Sequence, residues 1–318
     1  MLISAPRIRT SDIRALSVAF GLIALTTGLL LTGGLAFAQE LEPRRWSHLP
    51  IGTNFVGAGY IHTRADVLFL PAIQVENAKS EVNAVAMSYI RVLDVFGKSG
   101  RIDVLLPYAV GRWEGLLEGQ PASTRRSGFA DPKLRFSVNL LGSPSQRGED
   151  FKVREVNTIV GAALQISLPL GDYQNDKLIN LGKNRWSIRP QLGIVHKRHR
   201  WEFEVSTSAW FFTENDDFFD SGSREQDPVY AIQGHVIYTF RPGLWASLST
   251  AYGDGAQSTI NDVQLNDKVA NWLWGASVGL PISPKQGIKI TYLRGDTRRD
   301  VGQDVDRFIL GYSMMWGG

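Results

Sequence analysis

Cysteine is absent from the chain of 318 residues. Its absence excludes a disulfide scaffold, a thiol nucleophile and any cysteine metal site. Long hydrophobic runs are also scarce, because the sequence has one apolar stretch near 20 residues, at its N-terminus, whereas a polytopic helical membrane protein needs several. Neither sign of charge is in excess, with 34 Lys and Arg residues against 31 Asp and Glu residues, so nucleic acid is not expected as a partner.

The N-terminus has the order of features that an export signal needs. Arginines within the first 14 residues precede an apolar stretch over 15–31, and an Ala-x-Ala site ends at Ala38. This order predicts a signal peptide over residues 1–38 and a mature domain over 39–318 that begins at Gln39. The alternative is a single membrane anchor, since the stretch is long enough to span a bilayer. N-terminal sequencing of the purified protein distinguishes the two.

The rest of the chain alternates with a period of two residues. From 201 to 211, Trp, Phe, Val, Thr, Ala and Phe alternate with Glu, Glu, Ser, Ser and Trp. Such alternation is typical of a β-strand with one apolar face and one polar face. It predicts about twelve strands, near 52–62, 81–96, 99–113, 129–141, 155–169, 185–197, 199–212, 229–240, 243–254, 271–282, 286–295 and 307–317.

The connections between these strands alternate between tight turns and long polar loops. Long loops are predicted near 63–80, 114–128, 170–184, 213–228, 255–270 and 296–306. The connection at 142–154 is the exception and is long enough for a short helix. Outer-membrane barrels show this asymmetry, with short periplasmic turns and long external loops.

Tryptophan is concentrated at predicted strand ends, and indole rings prefer the membrane interface. These tryptophans predict two aromatic girdles: Trp113, Trp186, Trp272 and Trp274 at the loop ends, and Trp201, Trp245 and Trp316 at the turn ends. We therefore predict an all-β fold, a transmembrane antiparallel β-barrel of about twelve strands, or fourteen, among the outer-membrane lipids of a Gram-negative bacterium. A soluble β-sandwich or lipocalin-like barrel explains the alternation but not the loops and girdles.

The sequence contains no recognisable catalytic, cofactor or metal site. The histidines lack metal-site spacing, and the acidic loop 213–228 lacks calcium-loop spacing. Strand parity instead predicts polar side chains that face the barrel lumen: Lys133, Arg135, Arg189, Glu202, Glu204, Gln233, His235 and Lys289. Glu202 and Glu204 lie on the strand after the one that carries Arg189, which predicts pairing between them across the strands. The loops, or residues 39–51, are candidates to fold into the lumen.

Five blocks of sequence resemble a known family. They are LPIGTNF at 49–55, GFADPKLR at 128–135, NLLG at 139–142, NLGKNRW at 180–186 and REQDP at 224–228. The chain resembles the outer-membrane proteins named for the MetA-pathway of phenol degradation. The resemblance implies an exported β-barrel associated by name with uptake of aromatic compounds, and it supplies no catalytic residues.

These observations predict a channel for passive uptake of small aromatic or hydrophobic molecules. A lumen of mixed charge should not favour one ion sign strongly, because selective pores use rings of one sign. No enzyme activity and no cofactor are expected. The alternatives are a structural or adhesion barrel and an outer-membrane enzyme that modifies lipid, and the latter needs a serine paired with a histidine near the external surface.

Overall fold

The computed structural model describes residues 40–69, 75–153, 156–219 and 222–318. The predicted signal peptide lies outside these residues. Within the four described ranges, no helix has both the length and the apolar character needed to cross a bilayer. The helix α1 (Gly148–Val153) lies in the connection where a short helix was expected.

Antiparallel strands make up the rest of the regular structure. They are β1 (Asn54–Leu68), β2 (Val75–Val95), β3 (Lys98–Leu117), β4 (Gln120–Phe129), β5 (Lys133–Leu141), β6 (Thr158–Ser167), β7 (Ser187–Arg198), β8 (Trp201–Phe212), β9 (Asn215–Phe218), β10 (Gly222–Gln226), β11 (Val229–Arg241), β12 (Leu244–Gly255), β13 (Ser258–Ile260), β14 (Val263–Gln264), β15 (Val269–Ser283), β16 (Gln286–Thr297) and β17 (Gly302–Trp316).

The wall is a closed barrel of twelve strands. Its order is β2-β1-β17-β16-β15-β12-β11-β8-β7-β6-β5-β3, and the pairing of β2 with β3 closes the ring. β4 and β5 both pair with β3. β4 pairs with the half of β3 nearer the external end, and β5 pairs with the half nearer the periplasmic end, so together they form one interrupted strand. The predicted count of twelve is confirmed. Closure gives the backbone amides of the wall partners within the protein, which a lipid environment requires.

The exterior of the barrel is apolar and the interior is largely polar. Phe203 and Val205 on β8 are 45% and 48% exposed, whereas the intervening Glu204 is 2% exposed. Phe136, Val278, Leu310 and Tyr312, which strand parity assigns to the lipid face, are also exposed, and Val138 is partly so. An apolar outer face around a polar interior is the pattern of an outer-membrane barrel.

The aromatic girdles are less complete than the sequence predicts. Trp186, Trp201, Trp274 and Trp316 are exposed on the outside, but Trp113 and Trp245 point inward and are buried. Glycine makes room for both: a Cβ on Gly111 would lie 2.2 Å from the Trp113 ring, and one on Gly279 would lie 2.0 Å from Trp245 Nε1. Position at a strand end therefore did not determine which way these two rings face.

The predicted loop at 114–128 is wrong. β3 and β4 continue to a tight turn at Glu118 and Gly119, both with positive φ. The loops at 213–228 and 255–270 likewise contain β9, β10, β13 and β14, which form a separate four-stranded sheet. Beyond the membrane, both faces of a strand can meet water, so these segments lose the apolar alternation by which the other strands were identified.

The second edge of β4 is covered by the segment 168–186, which connects β6 to β7. Asp172 N donates to Phe129 O at 2.7 Å, and Arg126 Nε donates to Ile179 O at 3.0 Å. On this side of the wall, β6 pairs with β5 from Lys133 onward, and no pairing joins β6 to β4 among the described residues. The segment 168–186 therefore closes the outer part of the wall and brings its own residues to the external mouth of the lumen.

Candidate functional site

A stretch of chain occupies the inside of the barrel. The N-terminal segment, residues 40–53, precedes β1, and nearly all of its side chains are buried. Its hydrogen bonds reach β5 and, on the far side of the ring from β1, β7, β8 and β11. The expectation that residues 39–51 fold inward is confirmed for residues 40–51.

Two glutamates hold the start of this segment to the wall. Glu42 Oε1 lies 2.6 Å from Arg135 Nη2, and Glu40 Oε2 lies 3.3 Å from Arg189 Nη1. Lys133 Nζ also bonds Glu40, and Gln191 Nε2 donates to Glu42 Oε2 at 3.2 Å. We call Glu40 and Glu42 the carboxylate latch. All of these groups are nearly or fully shielded from water, so each charge depends on its partner.

The middle of the segment is held by a tryptophan seated on glycines. The Trp46 indole lies over Gly161 and Gly193, which face each other across β6 and β7. A Cβ at Gly161 would lie 2.2 Å from that ring, and one at Gly193 would lie 2.0 Å from it. Ile159 and Val195 pack beside it. These contacts form an apolar anchor below the latch.

Two adjacent arginines of the segment bind different parts of the wall, on β8 and on β3. Arg44 N donates to Glu204 Oε2 at 2.8 Å, and Arg45 Nη1 donates to Asp103 Oδ2 at 2.8 Å. The segment thus carries both signs of charge, and its charged side chains meet groups of the opposite sign on β3, β5 and β7.

The lumen is also two-sided. A buried apolar cluster, which we call the apolar wall, lines β1, β2, β3 and β17 and includes Leu181 from the segment 168–186. It consists of Ile61, Val82, Ala84, Ala86, Leu105, Ala109, Trp113, Ala130, Leu181 and Ile309. The basic partners of the carboxylate latch lie on β5 and β7 instead. The apolar wall covers only part of its side of the interior, because Arg101 on β3 and Arg307 on β17 are also buried there.

The polar residues predicted to line the lumen all lie at inward positions. Seven of them are buried, namely Arg135, Arg189, Glu202, Glu204, Gln233, His235 and Lys289, and Lys133 is mostly so. Gln233 Oε1 accepts a hydrogen bond from Glu42 N at 3.2 Å, and His235 Nδ1 lies 2.7 Å from Ser249 Oγ. Their part in solute passage stays a prediction.

The predicted pairing of Arg189 with Glu202 and Glu204 is wrong. Register places Gln191 opposite Ser208, and the Arg189 guanidinium lies 4.1 Å from the centre of the Trp210 ring. Glu202 instead pairs with Lys197 at 3.3 Å. Antiparallel pairing puts the glutamates near the turn end of the hairpin and Arg189 near its open end, so the two sets lie too far apart.

A second basic group lies at the external mouth. Burial, followed by the charge of Arg185, lowers the pKa of Lys183 to about 7. Burial, followed by the charge of Arg224, lowers the pKa of Arg185 to about 9. The sequence did not single out these cations or the latch, although Lys183 and Arg185 fall within the NLGKNRW block. The sequence signal that could have located Trp46 is the pair Gly161 and Gly193, which lie opposite each other on adjacent strands and leave room for a ring.

The described residues hold no group of three or more His, Asp or Glu side chains that could bind a metal ion.

A closed barrel with an apolar exterior, a polar interior and an internal segment defines an outer-membrane β-barrel protein. The family model described as "Putative MetA-pathway of phenol degradation" matches residues 64–306, and the chain belongs to this family. No curated protein matches the chain.

Solved structures share the fold. An outer membrane channel from Pseudomonas putida F1 has a TM-score of 0.72 and 22% identity, over 86% of this chain and 99% of that one. The transport unit of the autotransporter AIDA-I from Escherichia coli has a TM-score of 0.51 and 8% identity, over 95% of this chain and 99% of that one. The translocator domain of the autotransporter NalP from Neisseria meningitidis has a TM-score of 0.51 and 7% identity, over 85% and 90%.

Proposed function

We propose that this barrel is a channel for passive uptake of small aromatic or hydrophobic molecules across the outer membrane. The apolar wall is the observation that carries the proposal. A barrel that only conducts ions and sugars needs a polar lining, whereas here a cluster of ten apolar residues that includes Trp113 covers part of one side of the interior. An indole ring gives an aromatic solute a face on which to stack.

Family membership supports the same class of solute, because the family is named for phenol degradation. The channel from Pseudomonas putida F1 supports conduction through a barrel of this shape. Diffusion down a gradient needs neither a cofactor nor an energy source in the barrel.

The test is solute entry into liposomes that contain lipopolysaccharide and the mature protein. Phenol, arabinose and potassium chloride are compared with protein-free liposomes of the same composition. We expect protein-dependent entry of phenol to exceed that of arabinose. Entry no faster than in protein-free liposomes for every solute would reject transport and leave a structural role.

A pair of tryptophan variants tests the apolar wall itself. Trp113→Gln removes the inward ring, and Trp274→Gln removes a ring that is exposed on the outside of the barrel. We expect the first to slow phenol entry severalfold and the second to leave it unchanged. Equal effects of the two changes would show that the apolar wall does not guide the solute.

A further inference from the structure

Three of the sequence blocks meet at the external mouth of the lumen. The NLGKNRW block supplies Lys183 and Arg185, the GFADPKLR block supplies Asp131, and the REQDP block supplies Gln226. Lys183 N donates to Asp131 Oδ2 at 3.0 Å, and an Arg185 amino group donates to Gln226 Oε1. Neither the carboxylate latch nor the apolar wall explains why these cations are gathered here.

Arg185 is the most informative member of the group. Its side chain is buried, with 5% of its surface exposed, and its guanidinium lies 4.5 Å from the centre of the Phe212 ring. Nη2 is satisfied by Gln226, but the buried Nη1 has no hydrogen-bond partner among the residues that the structure describes. A buried charged donor without an acceptor is costly, so the geometry calls for an acceptor from outside the chain.

The local charge points to an anion. Lys183 and Arg185 repel each other, and Asp131 is the carboxylate that attracts both of them in the described structure. Asp131 is itself held by backbone donors, because Gly171 N bonds its Oδ1 at 3.0 Å and Lys183 N bonds its Oδ2. Two cations therefore share one carboxylate, and Arg224 adds a further positive charge beside Arg185. The group therefore carries an excess of positive charge that favours an anion.

The surroundings favour an organic anion with a flat apolar part. Leu181, two residues before Lys183, belongs to the apolar wall together with Trp113 and Ala130. Ala130 directly precedes Asp131. Two separate segments of the chain therefore join the apolar wall to the group at the mouth. One runs from Leu181 to Lys183, and the other runs from Ala130 to Asp131.

We propose that Lys183 and Arg185 form a binding site for a small aromatic monocarboxylate at the external mouth of the lumen. The carboxylate lies between the Arg185 Nη1 donor and the Lys183 ammonium, and the ring lies against the apolar wall near Leu181. A guanidinium matches the planar geometry of a carboxylate. The site adds a ligand class to the proposed uptake function. Binding of the anion does not depend on that function, but its onward passage through the lumen does.

Benzoate is the probe, and the experiment is calorimetric titration of the folded mature protein in detergent. Benzyl alcohol, which has the same ring without the charge, and inorganic phosphate are titrated in parallel. We expect benzoate to bind at least about tenfold more tightly than either. Binding of benzyl alcohol equal to that of benzoate would overturn the anion site. Phosphate binding equal to that of benzoate would overturn the organic ligand class.

Three substitutions that each remove one positive charge locate the site. Arg185→Gln and Lys183→Gln should each weaken benzoate binding about tenfold. The control is Arg125→Gln on β4, because Arg125 is an exposed cation at the same end of the barrel; its effect should be less than twofold. Equal weakening by all three would show only general attraction by positive charge and would overturn the site.

Folding and transport are measured separately from binding. The heat-dependent gel shift of a folded barrel reports whether Arg185→Gln assembles, and Lys183→Gln keeps the site testable if it does not. Loss of benzoate binding with normal phenol entry into liposomes is expected for the variants. Phenol entry by a wild-type protein that does not bind benzoate would overturn the carboxylate site alone, whereas benzoate binding without phenol entry would overturn the uptake function alone.

Discussion

Neutralising the carboxylate latch should open the lumen and make it favour anions. In the double variant Glu40→Gln, Glu42→Gln, the guanidinium groups of Arg135 and Arg189 lose carboxylates that now lie 2.6–3.7 Å away. Opposite unit charges at such distances attract by about 4–6 kcal/mol at an effective dielectric constant of about 20. Breaking a buried pair costs about 3–5 kcal/mol because one charge is left uncompensated.

A loss of about 3 kcal/mol in docking free energy raises the undocked fraction of the N-terminal segment roughly a hundredfold. Single-channel recording in planar bilayers, under a gradient of potassium chloride, measures both consequences. We expect larger conductance and a reversal potential shifted towards that of chloride, since the basic side of the lumen no longer faces the glutamates.

The matched control is Glu81→Gln, Glu114→Gln. Both residues are exposed on the outer surface of the barrel, so this variant changes the net charge equally but leaves the lumen intact. It should behave like the wild type. Unchanged conductance and selectivity in the latch variant, or the same shift in the control, would refute the idea that these ion pairs hold the segment in place.

Three further predictions concern other parts of the molecule. Val205→Arg should destabilise the barrel by about 2–4 kcal/mol and Ser206→Arg by less, as measured by denaturant unfolding in lipid, because only Val205 faces lipid; equal losses would contradict the parity. Gly193→Val should displace the Trp46 indole and change tryptophan fluorescence, and an unchanged spectrum would argue against that seat. Benzoate affinity should fall between pH 6 and pH 8, because burial and a neighbouring arginine lower the pKa of Lys183 to about 7. The ammonium is then about nine-tenths charged at pH 6 and about one-tenth charged at pH 8. An affinity independent of pH would exclude Lys183 from the site.

The wall of the barrel could be predicted from the sequence because its information is local. From Trp201 to Ser206, each residue reports its own side by its polarity, since lipid and lumen demand opposite chemistry at successive positions. Where water replaces lipid, as at the turn between β3 and β4, that demand ends and the prediction failed. The inward tryptophans failed for a related reason, because a missing Cβ on Gly111 or Gly279 admits an indole where polarity alone favours the interface.

The interior could not be predicted in the same way, because its contacts join distant parts of the chain. Arg189 binds Glu40, 149 positions earlier, rather than a glutamate on the next strand. The N-terminal segment has no strand period, so neither its path nor the levels at which it meets the wall can be read from alternation. Parity assigns a direction to each side chain, but it does not identify the partner of that side chain.

The N-terminal segment is held by ion pairs at its start and by apolar contacts in its later part. Its beginning is held by ion pairs through Glu40 and Glu42, whereas its later part is held by the Trp46 seat and by Leu49 and Ile51, which pack with strand residues near the chain ends of β1 and β17. Ion pairs can exchange for water or for a charged solute, but buried apolar side chains lose their transfer free energy when they are exposed. The start of the N-terminal segment should therefore leave the wall first, while its later part stays bound. The lumen would then open from the external mouth, and the segment would stay attached near the periplasmic end.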